Sequence, residues 1–292
     1  MVRPAPDLTG RTCVITGATR GIGRAAAEGI ARTGMRVVLL TRRVADGEAV
    51  GHALTAATGN AAVEVVAAEL ASLADVRGAA ETIRARHPRV HALVNNAAVA
   101  LKRRQLSRDG IEMTVAVNHL AHFVLTLGLL DALRAAAPSR VVNVSSEAHQ
   151  RDRIDFRDLE LERRYGGVKA YGRSKLMNVL FSNELARRLD GTGVTVNAMH
   201  PGVIATGLLT DYLPTFLQPF VPRFAGTPEA GADTLVWMVT SPELEGVTGR
   251  YFIRRKPASP NPMALDREAA RGLWRWSAER TGLAAGPPVA HA

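Results

Sequence analysis

At 292 residues, with 47% hydrophobic and 22% charged residues, the chain is long enough for one sizeable domain or two small ones. No apolar run approaches the ~20 residues of a membrane-spanning helix, Met1 to Asp7 carry no apolar signal core, and a lone Cys13 cannot make an internal disulfide, so a cytoplasmic protein without a membrane span is expected. The net charge of +10 is scattered as arginines over helix faces, as at Arg84 and Arg86 or Arg187 and Arg188, without a basic stripe or interleaved aromatics, which argues against a nucleic-acid partner.

In chain order, the first apolar run, near 11–16, leads directly into Thr16-Gly17-Ala18-Thr19-Arg20-Gly21-Ile22-Gly23 and a helical pattern over 22–33 closed by Gly34. A strand that ends in glycines and passes at once into a helix suits a dinucleotide. Gly17 permits the turn, Gly21 lets backbone approach a pyrophosphate, and Gly23 lets the helix pack close to the sheet. The free N–H groups of the helix face the phosphates, with Thr19, Arg20 and Ile22 in the same turn. The second strand, near 36–41, ends in Thr41-Arg42-Arg43. A carboxylate there would take the 2′-hydroxyl of the adenosine ribose and repel a 2′-phosphate. Thr41 is neutral, and Arg42 and Arg20 are cations that can converge on a phosphate, so NADP(H) is expected over NAD(H).

Further strands are predicted near 63–67, 91–95, 140–145, 194–199 and 249–253, with the clearest later helices over 111–136, 170–189 and 265–281. This alternation predicts an α/β protein, a single doubly wound (Rossmann) domain over 1–292 with a mostly parallel seven-stranded sheet and helices on both faces. Two stretches, Glu147 to Val168 and Val203 to Gly226, read as irregular.

Reducing a carbonyl with hydride leaves an alkoxide that requires an acid. Tyr171 and Lys175 lie one helical turn apart, so the ammonium is expected to stabilise the phenolate, lower the tyrosine pKa and bond the nicotinamide ribose. Tyr165 and Lys169 have the same spacing. Tyr165, however, precedes two glycines in a predicted loop, whereas Tyr171 opens a strongly patterned helix, a more rigid platform for catalysis. Ser145 and Ser146, at the end of the fifth strand, supply hydroxyls to orient the carbonyl. Histidines 119, 122, 149 and 200 show no ligand spacing with acids or cysteine, so no metal is expected.

Thr16-Gly17 followed after three residues by Gly21-Ile22-Gly23, then Asn95-Asn96-Ala97-Ala98, Val117-Asn118-His119, Asn143-Val144-Ser145-Ser146, Tyr171-Gly172-Arg173-Ser174-Lys175 and His200-Pro201-Gly202, together resemble the short-chain dehydrogenase/reductase family over roughly residues 8–255. Ile154-Asp155-Phe156-Arg157-Asp158-Leu159, Lys169-Ala170-Tyr171 and Gly249-Arg250-Tyr251-Phe252 are similar to its retinol dehydrogenase-like branch. The resemblance implies that Ser146 is the catalytic serine and Ser145 structural, and that Asn118 holds a water linked to Lys175. It implies that Glu69 with Leu70 meets adenine, that Asn96 and Ala97 flank the cofactor, and that Pro201, Gly202, Val203 and Thr206 meet nicotinamide and diphosphate. Glu69 stands where the family usually has aspartate and Ala98 where it has glycine; Ala98 would be strained if the turn needs a positive φ there.

The expected activity is that of an NADP(H)-dependent carbonyl reductase or alcohol dehydrogenase working on a small-molecule carbonyl or alcohol, an apolar ketone or aldehyde. The alternative is a cofactor-binding sensor or scaffold without turnover. Apolar residues from Ile204 to Val221, interrupted by Pro214 and Pro219, read either as a substrate lid or as an interface in a homo-oligomer.

Overall fold

A computed structural model describes residues 6–202 and 226–283. Eight strands form one sheet in the order β3-β2-β1-β4-β5-β6-β7-β8: β1 (Thr12–Thr16), β2 (Arg36–Thr41), β3 (Val63–Ala67), β4 (Ala92–Asn95), β5 (Ser139–Val144), β6 (Val194–His200), β7 (Tyr251–Ile253) and β8 (Lys256–Pro257). The first seven pair in parallel, as expected, while β8 pairs antiparallel to β7. This eighth strand has only two residues, Lys256 and Pro257, a pair with no strand pattern to read. Its hairpin turns through Arg254 and Arg255, both with positive φ (49° and 59°), the left-handed backbone that tight two-residue hairpins favour. Arg255 anchors the turn through an ion pair with Asp233 and a main-chain N–H bond to Thr234 Oγ1.

The sheet's two faces follow from the period-two alternation of its strands; the central ones, such as β1, β2 and β4, are buried on both sides and apolar at nearly every position. Cys13, Ile15, Val37, Leu39, Val94 and Val142 enter one core with residues of α1 (Gly21–Ala31), α2 (Val44–Thr58) and α8 (Pro228–Thr240). Val14, Val38, Leu93, Val141 and Val196 enter the other. There they meet α3 (Leu73–Arg86), α4 (Met113–Val115), α5 (Ala121–Gly128), α6 (Leu130–Ala135), α7 (Gly167–Arg188) and α9 (Arg267–Thr281).

Three helices depart from their predicted outlines. The pattern over 111–136 is not one helix: α4 passes through a π turn (Ala116–Leu120) into α5, and a break at Leu129 precedes α6. In the π turn Ala121 N–H reaches back five residues to the Ala116 carbonyl. Helix α7 begins at Gly167, three residues before its predicted start, because Gly166 serves as its N-cap. Helix α9 begins at Arg267, where the Asp266 carboxylate accepts the N–H groups of Glu268 and Ala269 (2.8 and 3.2 Å).

The chain runs outward from β1 to β3 and then returns to β4 beside β1, so the loops after these two strands diverge and leave a crevice at their carboxyl ends. Of the stretch predicted as irregular, Val203 to Gly226, all but Gly226 lies outside the described residues, and with it the choice between lid and interface. The other stretch is ordered. A 3₁₀ turn (Glu147–Arg151) opens it, and the buried Arg173–Asp152 ion pair (3.8 Å) ties it to α7.

Candidate active site

The crevice opens into a cleft of about 1150 Å³. Gly17, Thr19, Arg20, Gly21, Ile22 and Gly23 line one end with Thr41, Arg42, Glu69 and Leu70; Asn96, Ala97, Pro201 and Gly202 line it further along, and Ser146, Tyr171 and Lys175 close the far side. Val203 and Thr206 lie outside the described residues.

The glycine turn is shaped by close approaches. A Cβ on Gly17 would sit 2.7 Å from the Ala97 Cα, and one on Gly23 would sit 2.3 Å from the Gly17 carbonyl oxygen, so neither position has space for a side chain. No side chain caps α1, which leaves its first N–H groups free for an anion. Asn96 Nδ2 donates to the carbonyls of Thr16 and Gly17 (2.9 and 3.2 Å) and locks the turns after β1 and β4 together. Ala98 is not among the residues with positive φ, so the departure from glycine costs no backbone strain. A crevice too tight for side chains and lined by free backbone donors fits a dinucleotide pyrophosphate.

At the adenosine end, Arg42 extends with 71% of its side chain exposed and lies 4.0 Å from Glu69. Glu69 accepts a hydrogen bond from the Ala71 N–H (3.1 Å), and Thr41 Oγ1 donates to the Arg43 carbonyl (3.1 Å). Arg43 and Asp46, ion-paired at 2.7 Å, also border the cleft, which the sequence reading left out.

On the catalytic side, Lys175 is buried and its Nζ donates to the Val144 carbonyl (2.9 Å) and lies 5.6 Å from the centre of the Tyr171 ring. Burial pushes its ammonium down to about 7. The Tyr171 phenol moves the other way: burial raises it, and a hydrogen bond with Ser146 offsets part of the rise. The expected lowering of Tyr171 by Lys175 is therefore not the dominant effect here; desolvation is. Ser146 faces the phenol, while Ser145 is buried and donates to the Lys175 carbonyl (2.9 Å), which fixes the end of β5 against α7. Tyr165 belongs elsewhere. Its hydroxyl donates to the Leu101 carbonyl (3.0 Å), with Glu112 Oε1 at 3.4 Å, and it does not line the cleft.

Asn118 is also absent from the cleft lining. Its amide is occupied: Oδ1 accepts from Val99 N (2.7 Å), and Nδ2 donates to the Val99 carbonyl and to Ser174 Oγ (2.9 and 3.0 Å). Its main-chain carbonyl accepts from His122 Nδ1 (3.0 Å). That bond makes His122 Nε2 the acceptor from the Thr16 hydroxyl (3.2 Å), whose oxygen takes the N–H groups of Asn96 and Ala97, both at 3.0 Å. Burial holds His122 near a pKa of 3, so the imidazole is neutral. Asn118 thus positions the Val99 strap and, through His122, the turn after β1.

Sequence reasoning missed Val99, Ala100, Met113, Glu147, Ala148 and Val168 along the cleft, and gave no role to Val117 and His200, which stand inside quoted motifs. Glu147 adjoins the motif that ends in Ser146, and adjacency was the available signal. Val168 and Met113 carried none. Among the described residues no group of three or more His, Cys, Asp or Glu is placed to hold a metal ion, and no helix is long and apolar enough to cross a membrane.

The fold, the glycine turn and the Ser-Tyr-Lys cluster define a nicotinamide-dependent oxidoreductase, and the short chain dehydrogenase profile matches residues 11–215, so the chain belongs to the short-chain dehydrogenase family. Within that family its similarity runs to retinol dehydrogenases: it is 42% identical to retinol dehydrogenase 13 of Homo sapiens over 95% of this chain and 86% of that protein. An uncharacterized protein from Mycobacterium paratuberculosis superimposes with a TM-score of 0.78 at 31% identity, covering 96% of each chain. The Pseudomonas aeruginosa RhlG/NADP active-site complex does so with a TM-score of 0.69 at 26% identity, covering 84% of this chain and 95% of that one.

Proposed function

We propose that the chain is an NADP(H)-dependent reductase of apolar aldehydes or ketones, able to run in reverse on the alcohols. The observation that carries this reading is the meeting of the Ser146–Tyr171 pair and buried Lys175 in one cleft with Arg20 and Arg42, in which the second strand ends without a carboxylate. Bound in the crevice, the nicotinamide supplies or accepts the hydride. Ser146 and Tyr171 donate to the carbonyl oxygen and polarise it. As the oxygen gains charge, the Tyr171 proton passes to it, leaving the alcohol and a phenolate. Lys175 stabilises that phenolate through its nearby cationic charge, and its own low pKa suits it to return the proton. Arg20 and Arg42 take the 2′-phosphate, and RhlG, a solved structure of similar fold, is an NADP complex.

Because the relatives are named retinol dehydrogenases, retinaldehyde with NADPH and retinol with NADP⁺ head the substrate panel. The expected result is a fall in NADPH absorbance with retinaldehyde and larger apolar aldehydes, and little with small polar ones. Tight NADPH binding without turnover across the panel would replace this reading with the sensor or scaffold.

A further inference from the structure

The 3₁₀ turn after the catalytic serine is fastened to a segment more than a hundred residues later in the chain. His149 is buried and lies three residues after Ser146. Its Nε2 faces the Asn261 main-chain N–H at 3.1 Å, and its Nδ1 faces the Ser146 main-chain carbonyl at 2.5 Å. An N–H can only donate and a carbonyl can only accept, so Nε2 carries the lone pair and Nδ1 the hydrogen. The ring is a neutral splint with one possible tautomer.

Asn261 is buried as well, and its side chain completes the fastening. Nδ2 donates to the carbonyls of His149, Gln150 and Asp152 (2.9, 3.1 and 2.9 Å), while Oδ1 accepts from Met263 N (2.8 Å). Gln150 Nε2 adds a bond to the Ser259 carbonyl (2.9 Å). The turn that follows Ser146 is thereby held by residues 259–263, a segment outside the 11–215 matched by the family profile. Ser146 Oγ accepts from Ala148 N (3.3 Å), which leaves its hydrogen free for the cleft.

We propose that His149 and Asn261 are positioning residues for the serine, so that the C-terminal segment completes the active site by fixing the carbonyl of Ser146 and with it the direction of its hydroxyl. This rests on the role given to Ser146 above. Neither residue touches the cleft, so both act through the serine's backbone.

The test measures kcat, KM and NADPH affinity on the best carbonyl substrate for S146A, H149L, H149Q, N261A and the double variant S146A/H149L. The expected result is a kcat loss of about tenfold to a hundredfold for H149L, the scale of a small displacement of a catalytic group. NADPH affinity should stay within about twofold, and adding H149L to S146A should cost less than about a further twofold, because both act on one hydroxyl. H149Q, which keeps a donor and an acceptor, should regain part of the loss, and N261A should follow H149L in direction. If S146A is crippled while H149L and N261A turn over normally, the positioning role is wrong and the serine's role stands. Effects of S146A and H149L that multiply would also overturn it, since they would mark independent structural damage. Full turnover by S146A would refute the serine's role itself, and the positioning role with it. Should H149L fail to fold, N261A and S146A/N261A decide the question in the same way.

Discussion

Two Tyr-x-x-x-Lys pairs stand six residues apart in this chain, and the fold treats them in opposite ways. Tyr171 and Lys175 lie within α7, face the cleft beside Ser146 and are shifted by burial. Tyr165 precedes the helix, spends its hydroxyl on the Leu101 carbonyl, and its partner Lys169 is exposed in the first turn. Identical spacing therefore does not by itself place two side chains on one helix face. What sets the Tyr171 pair apart is the loss of water around it and the hydroxyl of Ser146, just after β5.

The sharpest way to break this comparison is to remove each phenol in turn. Tyr171→Phe should cut kcat by at least about a hundredfold to ten-thousandfold while NADPH affinity changes little, the size expected for loss of a general acid. Tyr165→Phe should keep turnover within about twofold and lower stability by about 1 kcal/mol for the lost hydrogen bond. An inactive Tyr165 variant beside an active Tyr171 variant would reverse the assignment. Next in size, Ser146→Ala should resemble Tyr171→Phe in its kcat loss, whereas Ser145→Ala should act chiefly on thermal stability, because its hydroxyl bonds backbone. Steady-state kinetics beside thermal melts separate the two.

A smaller effect is expected from the adenosine end. Arg42→Asp should weaken NADPH relative to NADH by about tenfold or more, as a charge-assisted phosphate bond is replaced by repulsion. Fluorescence titration with both cofactors reads the ratio, and an unchanged ratio would assign the phosphate to other residues. The smallest change concerns pH. Burial lowers His119 to about 4 and His122 to about 3, from the ordinary 6.5. The unfolded chain then takes up protons first, so stability is whole above about 6.5 and declines as pH falls toward 3. Urea midpoints measured from pH 7.5 to 4 should fall steadily, and His122→Gln should flatten the slope.

Much of the fold was legible because its signals are local. The seven parallel strands were found to within a residue or two since buried parallel strands are continuous apolar runs, and the glycine turn declared itself through its spacing between a strand and a helix. The π turn was not legible: Val117 to Leu120 follows an ordinary helical pattern, and only the side chain of His122 reaching the Asn118 carbonyl accompanies the departure. Contacts between residues distant in sequence explain what was not legible at the site. The bonds of the Asn118 amide were not legible, because its partners, Val99 and Ser174, are distant in sequence. Tyr171 was expected to be acidified by Lys175, since the sequence shows their proximity but not the desolvation that outweighs it. His149 looked like one of several unexplained histidines, and its link to Asn261 spans 112 positions.

The hairpin at the end of the sheet has a consequence for assembly. A parallel sheet ending at β7 would present a bare row of backbone donors and acceptors, a template on which another chain can add its own strand. Two residues, Lys256 and Pro257, cover that row; one carries a charge, and the other has no N–H to offer. The left-handed turn at Arg254 and Arg255 is strained for side chains of this size, yet it delivers those two residues to the border. On that side an incoming strand would meet only a two-residue border of one lysine and one proline.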